Sequence, residues 1–256
     1  MMGLFILKVL AILEHLRGIK QVQHLSWSQL VRYLRNRYGI YQIGSGSYAS
    51  VFYHKNWNHV YKIFEDDDGY MSFVKYCMAN SSKHLPVFYR SPFQLHTFHR
   101  RVDTTSNKLW AVKVEKLDDL PDDVERLISS GALYKCLGSY FNMREHGRHE
   151  TFSLRAGSNT PKEYTVAQFF DEYKHLDVEG VLNVLYDISK RIPFIYWMDL
   201  DLHSGNFMMR GNTLVIIDPI VGQNDSERFR ISDWLLADNV ISGPQYAKND
   251  PDKLFS

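Results

Sequence analysis

The chain has 256 residues, of which 45% are hydrophobic and 23% charged, and its net charge is +1. This is the balance of an ordinary soluble globular protein, long enough for one substantial core or two small lobes. A charge so close to zero excludes recruitment of nucleic acid or membrane by a global electrostatic field. The two cysteines, Cys77 and Cys136, match no zinc or redox spacing, which favours a reduced cytoplasmic environment.

The N-terminal segment 1–39 is predicted to be helical. Residues 1–13 (MMGLFILKVLAIL) are strongly apolar, but Lys8 interrupts them and no small-residue cleavage site follows. The run is also too short to span a bilayer, so we expect a helix packed on the domain rather than an anchor or an export signal. Residues 26–29 (SWSQ) resemble a capping box and predict a second helix that continues to Tyr38.

From residue 40 the hydrophobic period changes from that of a helix to that of β-strands. The predicted strands cover residues 41–43, 51–53, 60–64, 93–99 and 109–115, with one helix at about 70–78. Residues 40–117 are therefore predicted to form a small lobe rich in β-structure.

Residues 118–256 are predicted to form a second, mainly helical lobe. Its predicted helices cover residues 122–134 and 178–190, and the polar stretch 144–162 reads as a surface loop. A sheet-rich first half and a helical second half together predict an α+β protein with two lobes.

The polar residues with the clearest chemical meaning surround a predicted hairpin, whose strands and turn are residues 207–210, 213–217 and Gly211-Asn212. Folding the hairpin is expected to place Asn206 opposite Asp218, and facing residues lie roughly 5 Å apart. A carboxamide oxygen and a carboxylate there can bind one small hard cation. Asp201 then lies beside the metal, in a position to accept a proton. This pattern predicts a phosphoryl-transfer site.

Residues 44–51 (GSGSYASV) fall between the first two predicted strands. Glycines let backbone N–H groups approach phosphate oxygens, although a Gly-Ser turn is common in any protein. The segment lacks the Lys-Ser or Lys-Thr of a Walker A loop. Lys62, in the third strand, is either an exposed strand residue or a cation held over an anion. The neighbouring glycine loop favours the second interpretation.

These motifs occur in the order found in the protein-kinase-like fold: glycine loop, strand lysine, catalytic loop and metal aspartate. The closer resemblance is to the early-gene serine/threonine protein kinases of T7-like bacteriophages, and it rests on Gly44–Val51, Asp201–Asn206 and Asp218-Pro219. It implies a bilobal fold with a small β-rich N-lobe and a reduced helical C-lobe. It further implies an enzyme, made in the cytoplasm of an infected bacterium, that transfers the ATP γ-phosphate to host proteins and to itself. The implied substrates belong to the transcription and RNA-processing machinery, with no direct partner among nucleic acids or membranes.

The resemblance also implies roles for individual residues, with ATP and Mg²⁺ as cofactors. The implied catalytic residues are Asp201, Lys62 and His203. The implied nucleotide-binding residues are Gly44, Gly46, Val51, Lys62, Glu115 and Leu117, of which the last two belong to the hinge that pairs with adenine. The implied Mg²⁺ ligands are Asn206 and Asp218.

The chain departs from the kinase pattern at several positions. The helix at 70–78 contains no glutamate to pair with Lys62, and nearby acids occur only at residues 65–68. Which acid, if any, pairs with the lysine stays open. His203 stands where kinases usually have lysine, as in aminoglycoside- and choline-type phosphotransferases, and either contacts the transferred phosphate or braces the loop. The alternatives to a protein kinase are therefore a small-molecule phosphotransferase and a pseudokinase that binds and inhibits a host protein.

Overall fold

A computed structural model describes residues 27–46, 49–65, 68–99, 106–148, 151–154, 161–192 and 198–222. The predicted apolar helix at the N-terminus, the tip of the glycine loop at Ser47 and Tyr48, and all residues after Gly222 lie outside this described part.

The described part combines helices with antiparallel strands. The helices are α1 (Trp27–Tyr38), α2 (Asp68–Ala79), α3 (Asp122–Ser129), α4 (Ala132–His146), α5 (Val166–Glu172) and α6 (Val178–Arg191). The strands are β1 (Tyr41–Ser45), β2 (Ala49–Tyr53), β3 (His59–Glu65), β4 (Phe93–His99), β5 (Ser106–Glu115), β6 (Thr151–Leu154), β7 (Lys162–Thr165), β8 (Met198–Leu200), β9 (Phe207–Arg210), β10 (Thr213–Ile216) and β11 (Ile220–Gly222). Short 3-10 helices cover Lys174–Leu176 and Ser204–Asn206. The predicted α+β class is confirmed.

The chain divides into two compact units. Among the described residues, the first unit contains α1, β1, β2 and β3 up to Asp68, and β4 and β5 within residues 88–116. The second contains residues 69–87 and everything described from Leu117 onward. Helix α2 therefore groups with the helical unit, although it lies in sequence between strands of the first.

The first unit is a five-stranded antiparallel sheet in the order β1-β2-β3-β5-β4. Helix α1 covers one face because Leu30 and Leu34, one helical turn apart, pack into a buried cluster with Phe52, Tyr61 and Ile63. Since side chains alternate along a strand, the residues between these positions point to the opposite face.

The structure corrects the predicted limits of the glycine loop. Strand β1 extends to Ser45 and β2 begins at Ala49, so the connection is shorter than the predicted residues 44–51. The Gly46 N–H donates a hydrogen bond of 2.8 Å to the Ala49 carbonyl, which closes the turn tightly and lengthens both strands.

The single helix predicted over residues 122–134 is wrong, because α3 ends at Ser129 and α4 begins at Ala132. The break occurs at Gly131, whose φ of 75° lies in the left-handed region that a right-handed helix does not use. The surface loop predicted over 144–162 is also partly wrong, since β6 lies within it and pairs with β7. Phe152 and Leu154 alternate with polar residues and bury their side chains, which is the two-residue period of a strand.

Helix α6 confirms the predicted helix at 178–190, and its apolar stripe is buried. Asp177 caps its first turn by accepting a hydrogen bond from the Gly180 N–H. Among the helices in the described ranges, none is long and apolar enough to cross a membrane.

Candidate active site

The predicted hairpin is present, but its register differs by one residue from the prediction. Strands β9 and β10 pair from Arg210 and Thr213 around a two-residue turn, where Gly211 has a φ of 59°. The Ile217 N–H donates to the Asn206 carbonyl at 2.8 Å. Asn206 therefore faces Ile217 and not Asp218. The two-residue turn makes Arg210 face Thr213, and each step away from the turn moves one residue along both strands. Asp218 is the next residue along the chain.

A second antiparallel pair, β8 with β11, brings Asp201 to the same place. Leu200 pairs with Ile220, and the Asp201 N–H donates to the Pro219 carbonyl at 2.8 Å. Asp218 is thus bracketed, since the residue before it is bonded to Asn206 and the residue after it to Asp201. The backbone alone therefore brings the three predicted residues into one small region.

The side chain of Asn206 is held in a defined orientation. It is buried, and its Nδ2 donates a hydrogen bond of 2.9 Å to the Asp201 carbonyl. Because the amide nitrogen is committed to that carbonyl, the amide oxygen is the atom that can face a cation.

The donor atoms present fit Mg²⁺. An amide oxygen from Asn206 and a carboxylate from Asp218 are hard oxygen ligands, and Mg²⁺ is commonly held by few protein groups together with substrate phosphates. Within the residues that the structure describes, no cluster of three or more His, Cys, Asp or Glu side chains could hold a metal ion. A cation here would therefore depend on these two side chains and on phosphate oxygens.

His203 is engaged on both ring nitrogens by its own loop. Nδ1 accepts a hydrogen bond of 3.0 Å from the Gly205 N–H, so in the neutral ring the proton resides on Nε2. Nε2 lies 3.3 Å from Oδ2 of Asp201, whose side chain is 33% exposed. Of the two roles left open by the sequence, this geometry favours bracing, with the imidazole holding the Asp201 carboxylate in place.

The first unit brings together three of the predicted nucleotide-binding residues. Gly44 pairs with Val51, Val51 with Lys62, and Lys62 with Val112, so these positions form one row across β1, β2, β3 and β5. Residues that face each other across strands share a side of the sheet. The row lies on the face opposite the α1 core.

The other predicted nucleotide-binding residues are less informative. Gly46 closes the turn after β1, as described above. Glu115 ends β5 opposite His59, and Leu117 is a buried residue at the start of the second unit. The predicted hinge thus coincides with the point at which the chain passes from one unit to the other.

Two features of the second unit were not predicted as part of the site. Asp118 and Met209 exchange backbone hydrogen bonds of 2.9 and 2.8 Å, which joins the start of this unit to β9. Helix α3, whose exposed first turn carries Asp122, Asp123 and Glu125, contacts the 3-10 helix Ser204–Asn206. The acidic run was visible in the sequence, but its position beside the loop required the fold.

No protein-family model matches the chain, and no curated protein matches its sequence. The functional conclusion therefore depends on the residues of the site and on their geometry.

Proposed function

We propose that the protein is an ATP- and Mg²⁺-dependent serine/threonine protein kinase of protein-kinase-like fold. By the resemblance to kinases of T7-like phages, its substrates are proteins of an infected bacterial host, and itself. The observation that carries the proposal is the bracketing of Asp218 by residues bonded to Asn206 and Asp201. That arrangement supplies two oxygen ligands and a proton acceptor in one region, which is what phosphoryl transfer requires.

In this mechanism Asp201 orients the acceptor hydroxyl and takes its proton. Its partial exposure lets a substrate reach the carboxylate, while its backbone is fixed by Pro219 and Asn206. Lys62 contacts the α- and β-phosphates. Asn206 and Asp218 would hold Mg²⁺, which would supply charge neutralisation at the phosphates. Catalysis then consists mainly of positioning and electrostatic stabilisation by residues held in place before the substrate binds.

The test is incubation of the pure protein with γ-labelled ATP, Mg²⁺ and a bacterial extract. We expect label on serine or threonine of host proteins and on the protein itself, and about 10²–10⁴-fold slower labelling with Asp201→Asn. Equal labelling by the two proteins, or no labelled protein in either reaction, would refute the proposal.

A second candidate is a small-molecule phosphotransferase, which the histidine in the catalytic loop favours. The exposed carboxylates of Asp122, Asp123 and Glu125 near this loop fit a cationic acceptor. In the same experiment this function would place the label on a soluble metabolite instead of on protein.

The bracing role of His203 gives a prediction about Gly205→Ala. A Cβ at residue 205 would lie 2.8 Å from Cε1 and 3.0 Å from Nδ1 of His203, so the ring has to move. Because the His203 side chain is 61% exposed, it can move at little cost in stability. We expect transfer to fall by up to about 100-fold, the scale of a small misplacement of a catalytic group, with an unchanged melting temperature.

The matched control is Gly138→Ala, since a Cβ there meets nothing within 4 Å. Transfer rates and thermal unfolding of both variants should be compared with the wild type. Full activity of Gly205→Ala would show that the ring does not position Asp201.

A further inference from the structure

His84 lies in the segment that follows α2 and is almost completely buried, with 2% exposure. Its Nδ1 is 2.7 Å from the carbonyl oxygen of Leu214 in β10. Its Nε2 is 2.9 Å from Oδ2 of Asp177, the residue that caps α6. One buried side chain thus links two elements that are far apart in sequence.

Both partners of this ring can only accept hydrogen bonds. A carbonyl oxygen has no proton to donate. Asp177 is an ionised carboxylate near neutrality, because its hydrogen bond with Lys83, followed by that with His84, lowers its pKa to about 2. Each ring nitrogen therefore faces an acceptor, whereas a neutral imidazole, with a single N–H, could donate to only one of them.

The charges around the ring are consistent with a cation. On the α6 side the facing group is Asp177, whereas the nearby Glu179 is exposed. Lys83 binds the same Asp177 oxygen at 2.7 Å from the exposed side. From β9, Arg210 donates to the carbonyls of Lys83 and Leu85, and from α6 Arg191 donates to the side chain of Asn80 at the start of the segment. Strand β10 contributes a carbonyl and no titratable side chain.

The packing around the ring is close. A Cβ on Gly180 would lie 2.4 Å from His84 Nε2 and 2.5 Å from Asp177 Oδ2, so glycine is needed for the ring to reach α6. On the other side, the Ile216 N–H donates to the His84 carbonyl at 2.9 Å. The backbone and the side chain of His84 therefore both bind β10, within four residues of Asp218.

We propose that His84 is a positioning residue, held near neutral pH as a buried imidazolium that ties β10, and through it Asp218, to the start of α6. The consequence for Asp218 rests on the proposed function. The charge of the ring and its attachment to β10 do not depend on it, so they can be tested without any activity.

The direct test is ¹⁵N NMR of the full chain with labelled histidine, with the His84 signals identified by their loss in His84→Gln. We expect both ring nitrogens of His84 to show the shifts of protonated nitrogens at pH 7. A ring nitrogen with the shift of an unprotonated atom would overturn the proposal.

A second variant keeps the test independent of whether His84→Gln folds. Asn in place of Asp177 can still cap α6, but it removes the charge that retains the second proton. In Asp177→Asn we expect a neutral ring with the proton on Nδ1, and faster hydrogen exchange of the Ile216 amide. Asp171→Asn, which changes an exposed aspartate of α5, should alter neither signal. An unchanged ring and unchanged exchange in Asp177→Asn would contradict the link.

The lowered pKa of Asp177 also predicts how the stability of the fold depends on pH. Its pKa in the folded protein, about 2, is below its ordinary value of 3.8. Asp177 therefore stabilises the fold above about pH 4, and this contribution is lost as the pH falls toward 2. We expect the melting temperature of the wild type to fall more steeply over this interval than that of Asp177→Asn, measured by circular dichroism. Parallel curves for the two proteins would contradict this role.

Discussion

Replacing Asp201 by asparagine is expected to lower phosphoryl transfer by about 10²–10⁴-fold, the usual range for loss of a general acid or base. The amide cannot take the proton of the acceptor hydroxyl. The fold should survive, because Asp201 bonds to Pro219 and Asn206 through its backbone N–H and carbonyl. Since the amide is nearly the size of the carboxylate, the loop should keep its shape.

The measurement is the rate of label transfer from γ-labelled ATP, with the melting temperature and nucleotide affinity recorded for the same preparations. Asp171→Asn is the matched control, because it makes the same chemical change on an exposed residue of α5. Binding of ATP should persist in Asp201→Asn while transfer is lost. Wild-type transfer in this variant would remove Asp201 from the proposed mechanism.

Replacing Asp218 by asparagine should have a different signature. The variant loses the carboxylate of the proposed metal pair, and the remaining amide oxygen of Asn206 carries no net charge. We expect transfer to fall by at least about 100-fold, the scale of losing an electrostatic stabiliser in an active site. We also expect the Mg²⁺ concentration needed for half-maximal rate to rise. A Mg²⁺ titration of the transfer rate measures both effects.

Asp119→Asn is a suitable control for this titration, because Asp119 is an exposed acid of the same unit. Asp201→Asn and Asp218→Asn can be told apart, since Asp201→Asn should keep the Mg²⁺ dependence of nucleotide binding and Asp218→Asn should weaken it. If Asp218→Asn responded to Mg²⁺ as the wild type does, the cation would have to be bound elsewhere.

Much of the secondary structure could be predicted because its causes are local. The turn at Gly211-Asn212 requires only residues that tolerate positive φ, and the structure has the hairpin there. The apolar stripe of α6 repeats with the helical period, and that helix ends within one residue of its predicted limit. The α+β class follows from the same periodicities.

The break between α3 and α4 was missed although its cause is also local. Gly131 lies inside a run of helix-forming residues, and a single glycine costs a helix only about 1 kcal/mol. Whether the chain continues through it or turns depends on where the two halves can bury their apolar sides. That choice belongs to packing.

The sequence by itself determined which groups could perform the chemistry and in which local elements they lie. Their mutual arrangement was decided by contacts between distant segments. The bond between the Asp201 N–H and the Pro219 carbonyl and the grouping of α2 with the helical unit are of this kind. The burial of His84 between two acceptors is another example. Its hydrogen bonds join residues about 90 to 130 positions apart, and such bonds leave no periodic pattern in the sequence from which they could be predicted.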